Sequence, residues 1–370
     1  MTKEIDLQRL NLEVPRPPLA CDIVIGKNIL TNLAQVVDLT GYTQFVVVTE
    51  PGIHNLYGQQ LTRGLVLTNK PIQFIETDGG ESNKTETEAD RILTKILNIQ
   101  PAIDRRTAIL ALGGGVVGDM TGYIAGRCLR GIDYLQIPTT LLAMVDSSLG
   151  GKTAVDHEGI TNMIGLFHLP RATIMDVETL TTLPNREWQS GLAELVKHGF
   201  LDLDLWKLLS RLDNQTLRTN QDQLIEVLRL SSQFKMSIVS QDFEEKTGVR
   251  KVLNFGHTIG RALEAATNLS RFTHGEAVSI GMTAILLISH KQGLLTKKSL
   301  EEMLTILKSF DLPMQAFGVD KSLLWQAMRR DKKAGGGIPR FVLLEGIGQP
   351  KIDCQVEEKL INEVLGEIFP

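Results

Sequence analysis

The sequence predicts an α/β domain built on a parallel sheet, followed by a mostly α-helical domain. Short β-rich apolar runs separated by helix-sized stretches fill the first half, and near residue 180 the apolar spacing changes to three-and-four. The length of 370 residues, 42% apolar and 22% charged, suffices for two domains with separate cores. The expected boundaries are 1–178 and 179–370.

The first half holds five strand candidates in order: QFVVVTE (44–50), PIQFIETD (71–78), TAILALGGG (107–115), DYLQIPTT (133–140) and RATIMDV (171–177). Each is rich in β-branched or aromatic residues, and the stretches between them can hold helices, the pattern of βα units. The second half keeps helical spacing in REWQSGLAELVKHGFL (186–201), DQLIEVLRLSSQFKMSIVSQ (222–241), NFGHTIGRALEA (254–265), GEAVSIGMTAILLISHKQGL (275–294) and KSLEEMLTILKSF (298–310). RFVLLEG (340–346) reads as a small strand. There is no internal repeat or low-complexity segment, and a pocket is expected in the cleft between the halves.

A net charge of -4 and a pI near 6.0 argue against a general nucleic-acid binder, so any bound anion must be gripped locally. Cys21, Cys128 and Cys354 have no pairing or ligand spacing, which suits a reducing compartment. MTKEIDLQRLNLEV mixes charges into its apolar residues, and no apolar run approaches membrane-spanning length. The expectation is a cytoplasmic protein that meets neither membrane nor nucleic acid.

The strongest chemical signal in the first half is AILALGGGVVGDM, where Gly113, Gly115 and Gly118 satisfy G-x-G-x-x-G after an apolar strand. Backbone amides there could cradle a pyrophosphate at a helix start, although the motif comes too late for the first turn of a standard dinucleotide-binding unit. GGESNK (79–84) offers a second glycine turn with Glu81 and Lys84. Glu50 ends an earlier strand, where a carboxylate suits a ribose hydroxyl; a helix cap or a surface acid is the plain alternative. PTTLLAMVDSSLGGKTAVD (138–156) crowds Thr139, Thr140, Asp146, two serines and Lys152 into an otherwise apolar segment, and such polar groups need partners.

The second half supplies metal-ligand candidates. Glu194 shares a helical face with Lys197 at i+3, and His274 stands at a probable helix start. His257 lies between Asn254 and Arg261 on one predicted helical face. A lone helical histidine is more often a packed residue, yet one carboxylate and two imidazoles form a plausible three-ligand set with an open position. His198 competes for the same role.

LGGGVVGDMTGYIAGRCLRGIDYLQIPTTLLAMVDSSLGGKTAV, together with NMIG, TLPNRE, GLAELVKHG, VRKVLNFGHTIG, HGEAVSIGM and DKK, resembles the 3-dehydroquinate synthases of the shikimate pathway, a branch of the sugar-phosphate cyclases. The resemblance runs in order from GGESNK to DKK. It implies a Rossmann-like NAD-binding domain, a helical domain holding a catalytic divalent metal (zinc or cobalt), and a homodimer. It implies Glu194, His257 and His274 as metal ligands. NAD contacts are implied for Glu81, Lys84, Gly115, Val116, Val117, Gly118, Asp119, Thr139, Thr140, Lys152, Thr179 and Thr182. Substrate contacts are implied for Asp146, Asn162, Lys197, Lys235, Arg250, Asn254 and Lys332, with Arg130 reaching into a neighbouring subunit. The implied reaction converts 3-deoxy-D-arabino-heptulosonate 7-phosphate to 3-dehydroquinate and phosphate through transient oxidation by NAD, elimination, re-reduction, ring opening and aldol closure. Lys152, Lys332 and Arg130 would steady the leaving phosphate, while Lys235 and Arg250 would hold the carboxylate.

Two positions depart from the family pattern: Thr161 replaces a lysine, and Arg261 replaces the second histidine of GHTxxH. A guanidinium binds phosphate but does not shuttle protons, so Arg261 is expected to supply fixed positive charge near the leaving phosphate. Another sugar-phosphate cyclase and a metal-dependent polyol dehydrogenase remain as alternatives.

Overall fold

A computed structural model of the chain describes residues 19–268, 271–330 and 338–370. Six strands form one wholly parallel sheet: β1 (Asp22–Gly26), β2 (Gln44–Thr49), β3 (Ile72–Glu76), β4 (Thr107–Gly113), β5 (Tyr134–Pro138) and β8 (Ala172–Asp176). Their order is β1-β8-β5-β4-β2-β3. Side chains alternate along β2: Phe45 and Val47 join one apolar cluster, Val46 and Val48 the other. The helices Glu86–Leu97 and Gly115–Arg127 cover one face and Gln59–Val66 the other. Burial on both faces explains why β2 reads as an unbroken apolar run. The order reverses between β2 and β4, and the carboxyl ends of those strands open the crevice where such sheets bind ligands.

The hairpin β6 (Lys152–His157) and β7 (Ile160–Phe167) was not legible in the sequence. Nor were β1 and β10 (Gln349–Cys354), which pairs antiparallel with the expected strand β9 (Phe341–Gly346).

In the second half the helices Asn185–Leu201, Gln221–Gln241, His274–Lys291 and Lys297–Ser309 lie where the periodicity places them. His274–Lys291 is almost entirely buried and packs against Asn185–Leu201 and His257–Ala266. Their core also takes in Leu141, Met144 and Val145 from the loop after β5, so apolar packing runs across the two halves. Among the described residues, no helix is long and apolar enough to cross a membrane.

One expected element is corrected. Residues 254–265 do not form a single helix: Asn254 ends the 3-10 turn Val249–Asn254, and the α-helix begins at His257. Between them Gly256 has φ 77°, a left-handed conformation that glycine adopts without steric cost. A Cβ there would stand 2.7 Å from Met282 Cγ and 3.0 Å from Val278 O. Gly256→Ala is therefore expected to destabilise the fold by roughly 1–3 kcal/mol, read as a lowered denaturation midpoint. A midpoint equal to that of the parent would show that the turn relaxes freely.

Candidate active site and metal centre

The residues expected to meet NAD gather at the carboxyl edge of the sheet. Glu50 follows β2, Glu81 and Lys84 follow β3, Gly115–Asp119 follow β4, Thr139 and Thr140 follow β5, and Thr179 and Thr182 follow β8. The helix Gly115–Arg127 starts without a side-chain cap, leaving its first amides free for an anion. A Cβ on Gly115 would lie 2.9 Å from Ser147 Oγ, and the buried hydroxyls of Ser147 and Thr139 have no hydrogen-bond partner. Unsatisfied donors around an uncapped helix start fit a dinucleotide. Glu50 caps no helix with its side chain, and burial raises its pKa. The Val117 side chain lies in the core, so only its backbone could serve a cofactor. Tyr57, which sequence reasoning missed, holds the Thr179 carbonyl (2.9 Å) and the Thr182 hydroxyl.

Glu194, His257 and His274 converge, with one ligand atom from each within 4.8 Å of the others. Glu194 Oε1 lies 3.6 Å from His257 Nε2 and 3.3 Å from His274 Nε2. The opposite ring nitrogens are fixed: His257 Nδ1 donates to the Phe255 carbonyl at 3.1 Å, and His274 Nδ1 meets Glu264 Oε1 at 3.1 Å. This is how proteins orient histidine ligands, with the free Nε2 turned to the metal. Glu194 is fully buried, and its oxygens receive no well-directed hydrogen bond. Burial would raise its pKa, yet the Lys197 ammonium beside it holds it well below the usual carboxylate range. Burial opposes the charge on His274, but Glu194 and Glu264 push its pKa up to about 10 in the absence of a metal. The donor set fits a divalent cation with an open coordination position. Glu264 was not assigned to the site; its only sequence signal is the i+7 spacing from His257.

Asp146 brings the loop after β5 against this centre and forms a second close group with Glu194 and His198. The Lys235 ammonium outweighs burial and holds Asp146 far below the usual carboxylate range. Lys197 is pinned by Glu194 and donates to the Leu253 carbonyl at 2.9 Å. His198 Nδ1 is taken by Ser231 at 2.8 Å, and burial drives the pKa of His198 down to about 3. Asp146, unlike His257 and His274, is already taken by the Lys235 ammonium, which makes the Glu194–His257–His274 group the better candidate for a cation.

Lys152 pairs with Glu245, and the buried Arg250 donates from Nη1 to the Phe243 carbonyl at 2.9 Å, with Nε 3.6 Å from Glu245 Oε1. Asn162, expected on the substrate, is bonded instead to Lys84, expected on NAD.

A cavity of about 170 Å³ opens beside His257, lined by Asn254, Thr258, Arg261 and Arg340 among others. Asn254 and Arg261 thus share a wall with His257 even though the helix is broken between them. Arg261 is exposed and makes no ion pair with Glu264, whose carboxylate is on His274. Arg130 is exposed in a left-handed turn, φ 69°. Lys332 lies outside the described residues.

Family models described as 3-dehydroquinate synthase N-terminal and C-terminal match residues 74–190 and 191–334. A 3-dehydroquinate synthase from Pelobacter propionicus is 38% identical over 346 residues, 93% of this chain and 94% of its own. The 2-epi-5-epi-valiolone synthase ValA from Streptomyces hygroscopicus, solved with NAD+ and Zn2+ bound, superposes with a TM-score of 0.86 at 27% identity over 97% of this chain and 99% of its own. A 2-deoxy-scyllo-inosose synthase complexed with carbaglucose-6-phosphate, NAD+ and Co2+ does so with a TM-score of 0.82 at 25% identity over 93% and 96%. With both halves matched in order and the three-ligand cluster formed, the chain belongs to the 3-dehydroquinate synthase family.

Proposed function

We propose that the chain converts 3-deoxy-D-arabino-heptulosonate 7-phosphate to 3-dehydroquinate and phosphate. The observation that carries this reading is the Glu194–His257–His274 cluster, joined through Asp146 to the loop beside the crevice at the sheet's carboxyl edge. Bound NAD would supply reversible hydride acceptance, and a zinc or cobalt ion Lewis acidity. Glu194, His257 and His274 would hold the metal, and the residues at the sheet's carboxyl edge, with Lys152, the NAD.

The chain's own groups would do the rest. Lys197 and Asp146, each locked by an ion pair, hold adjacent substrate oxygens. Lys152, Asn254 and Asn162 surround the phosphate, with Arg130 reaching in from a second copy; the resemblance assigns Lys332, which lies outside the described residues, to the same group. Lys235 and Arg250 receive the carboxylate. The division at 178/179, a homodimer and a cytoplasmic location complete the reading.

Purified protein supplied with NAD, zinc and the heptulosonate phosphate should release phosphate and cyclic product in equal amounts. Net accumulation of NADH would indicate a polyol dehydrogenase instead, and turnover confined to another sugar phosphate would indicate a different cyclase.

Arg261 gives this reading a residue of its own. Arg261→Ala should raise KM for the sugar phosphate about tenfold, the worth of one charge-assisted hydrogen bond, with NAD affinity unchanged. Arg261→His should retain part of that affinity and introduce a pH dependence near neutrality. Unaltered kinetics in the alanine variant would remove Arg261 from the site.

A further inference from the structure

Lys84 and Asn162 lie far apart in sequence, on the glycine turn after β3 and on the hairpin strand β7, yet they meet through one ammonium. Lys84 Nζ is 2.6 Å from Asp119 Oδ2 and 2.6 Å from Asn162 Oδ1, and the lysine is only 4% exposed. The backbone reinforces the junction. Asp156 N–H donates to the Lys84 carbonyl at 2.7 Å, and Asp156 Oδ1 accepts from Asn162 N–H at 2.7 Å. Asn162 has φ 52°, a conformation that asparagine tolerates better than most side chains.

An ammonium has donors only, so the atom of Asn162 facing Lys84 must be the amide oxygen. That fixes the amide flip. The two N–H donors of the same group are turned away from Lys84, on a residue that is itself exposed. A single ammonium thus links the turn-and-helix expected to hold the cofactor, through Asp119, to a pair of donors suited to an anion. At Thr161 the chain has a hydroxyl next to Asn162, so the charge against this amide comes from Lys84.

We propose that Lys84 is a positioning residue for the sugar phosphate: by holding the Asn162 amide oxygen it presents the Asn162 N–H donors to the phosphate, coupling the cofactor turn to substrate binding. This rests on the reading that the cleft takes a sugar phosphate. It assigns Lys84 a role that contact with NAD alone would not produce, because loss of Lys84 then weakens phosphate binding even when NAD saturates.

The test uses the full chain with zinc and saturating NAD, comparing Lys84→Met, Asn162→Ala and the double variant. Two quantities are measured: the Kd for inorganic phosphate by calorimetry, and KM and kcat for the heptulosonate phosphate. Each single variant should raise the phosphate Kd and the sugar-phosphate KM about five- to twentyfold, with a smaller change in kcat, and the double variant should add little to either. Asn162→Asp keeps an acceptor for Lys84 but removes the donors, so it should fold and lose phosphate affinity, which guards against misfolding of the methionine variant.

The proposal is overturned if Lys84→Met changes only NAD affinity, if the effects of the two single variants multiply in the double, or if Asn162→Asp binds phosphate as the parent does. Failure of the functional reading looks different: the parent would not turn over the heptulosonate phosphate, whatever the phosphate titrations show.

Discussion

His257→Ala and His274→Ala should each lose bound zinc and nearly all activity while remaining folded. Residues that merely orient a metal-ligating histidine are typically worth about 10- to 100-fold in metal affinity or activity, and removal of a ligand itself exceeds that. Glu264→Gln supplies the graded comparison: it weakens the acceptor at His274 Nδ1 without touching the ligand set, so zinc affinity should fall within that 10- to 100-fold range. Metal content after dialysis, measured by elemental analysis beside a thermal melt, checks all three. Full zinc occupancy in both histidine variants would refute the centre. Glu194 is the poorer target, because Glu194→Ala would leave the fully buried Lys197 without its counter-charge. A broken buried pair costs about 3–5 kcal/mol, so loss of fold would obscure loss of metal.

Legibility of the fold followed burial. β2 and β4 are apolar on both faces, and the helices Asn185–Leu201 and His274–Lys291 are buried along most of their length, so both stand out as long, largely apolar stretches. The hairpin gave no such signal: β7 is exposed along nearly its whole length, so nothing forced apolar and polar residues to alternate. The break at Gly256 was hidden for a related reason. Spacing alone places Asn254, His257 and Arg261 on one face, and only the positive φ of the glycine shows that Asn254 reaches the shared cavity from the preceding turn. At the site, the spacing of His257 and His274 left His198 open as a ligand. What counts against it is the Ser231 contact at its Nδ1 and the Lys235 ammonium on Asp146, contacts made across the fold. Tyr57 acts on residues more than a hundred positions away, with no local pattern to announce it, and Glu264 acts on a histidine of the next helix, which its spacing from His257 does not reveal.

Arg250→Lys should raise KM for the carboxylated substrate by about 10- to 150-fold, the equivalent of roughly 1.5–3 kcal/mol for a charged hydrogen bond, with kcat less affected. Arg250 is anchored through Nη1 to the Phe243 carbonyl, and its buried Nε has no directed hydrogen bond. Nη2 lies against Gly150, where a Cβ would stand 3.0 Å away, so the glycine leaves that edge of the guanidinium uncrowded. Nε and Nη2 together form the edge that grips a carboxylate with two parallel bonds, and a lysine offers no equivalent fork. The chain already places a carboxylate there: Glu245 lies 3.6 Å from Arg250 Nε and pairs with Lys152. A substrate carboxylate must compete with it, so Glu245→Gln should act in the opposite direction and lower KM a few-fold, as expected when a partly exposed ion pair is relieved. Opposite shifts in KM from two residues in contact would be difficult to ascribe to general loosening of the fold. Measuring both variants on the heptulosonate phosphate and on an uncarboxylated sugar phosphate completes the case. If Arg250→Lys leaves KM for the carboxylated substrate unchanged, the guanidinium does not hold a carboxylate, and a cyclase acting on an uncarboxylated sugar phosphate becomes the better reading.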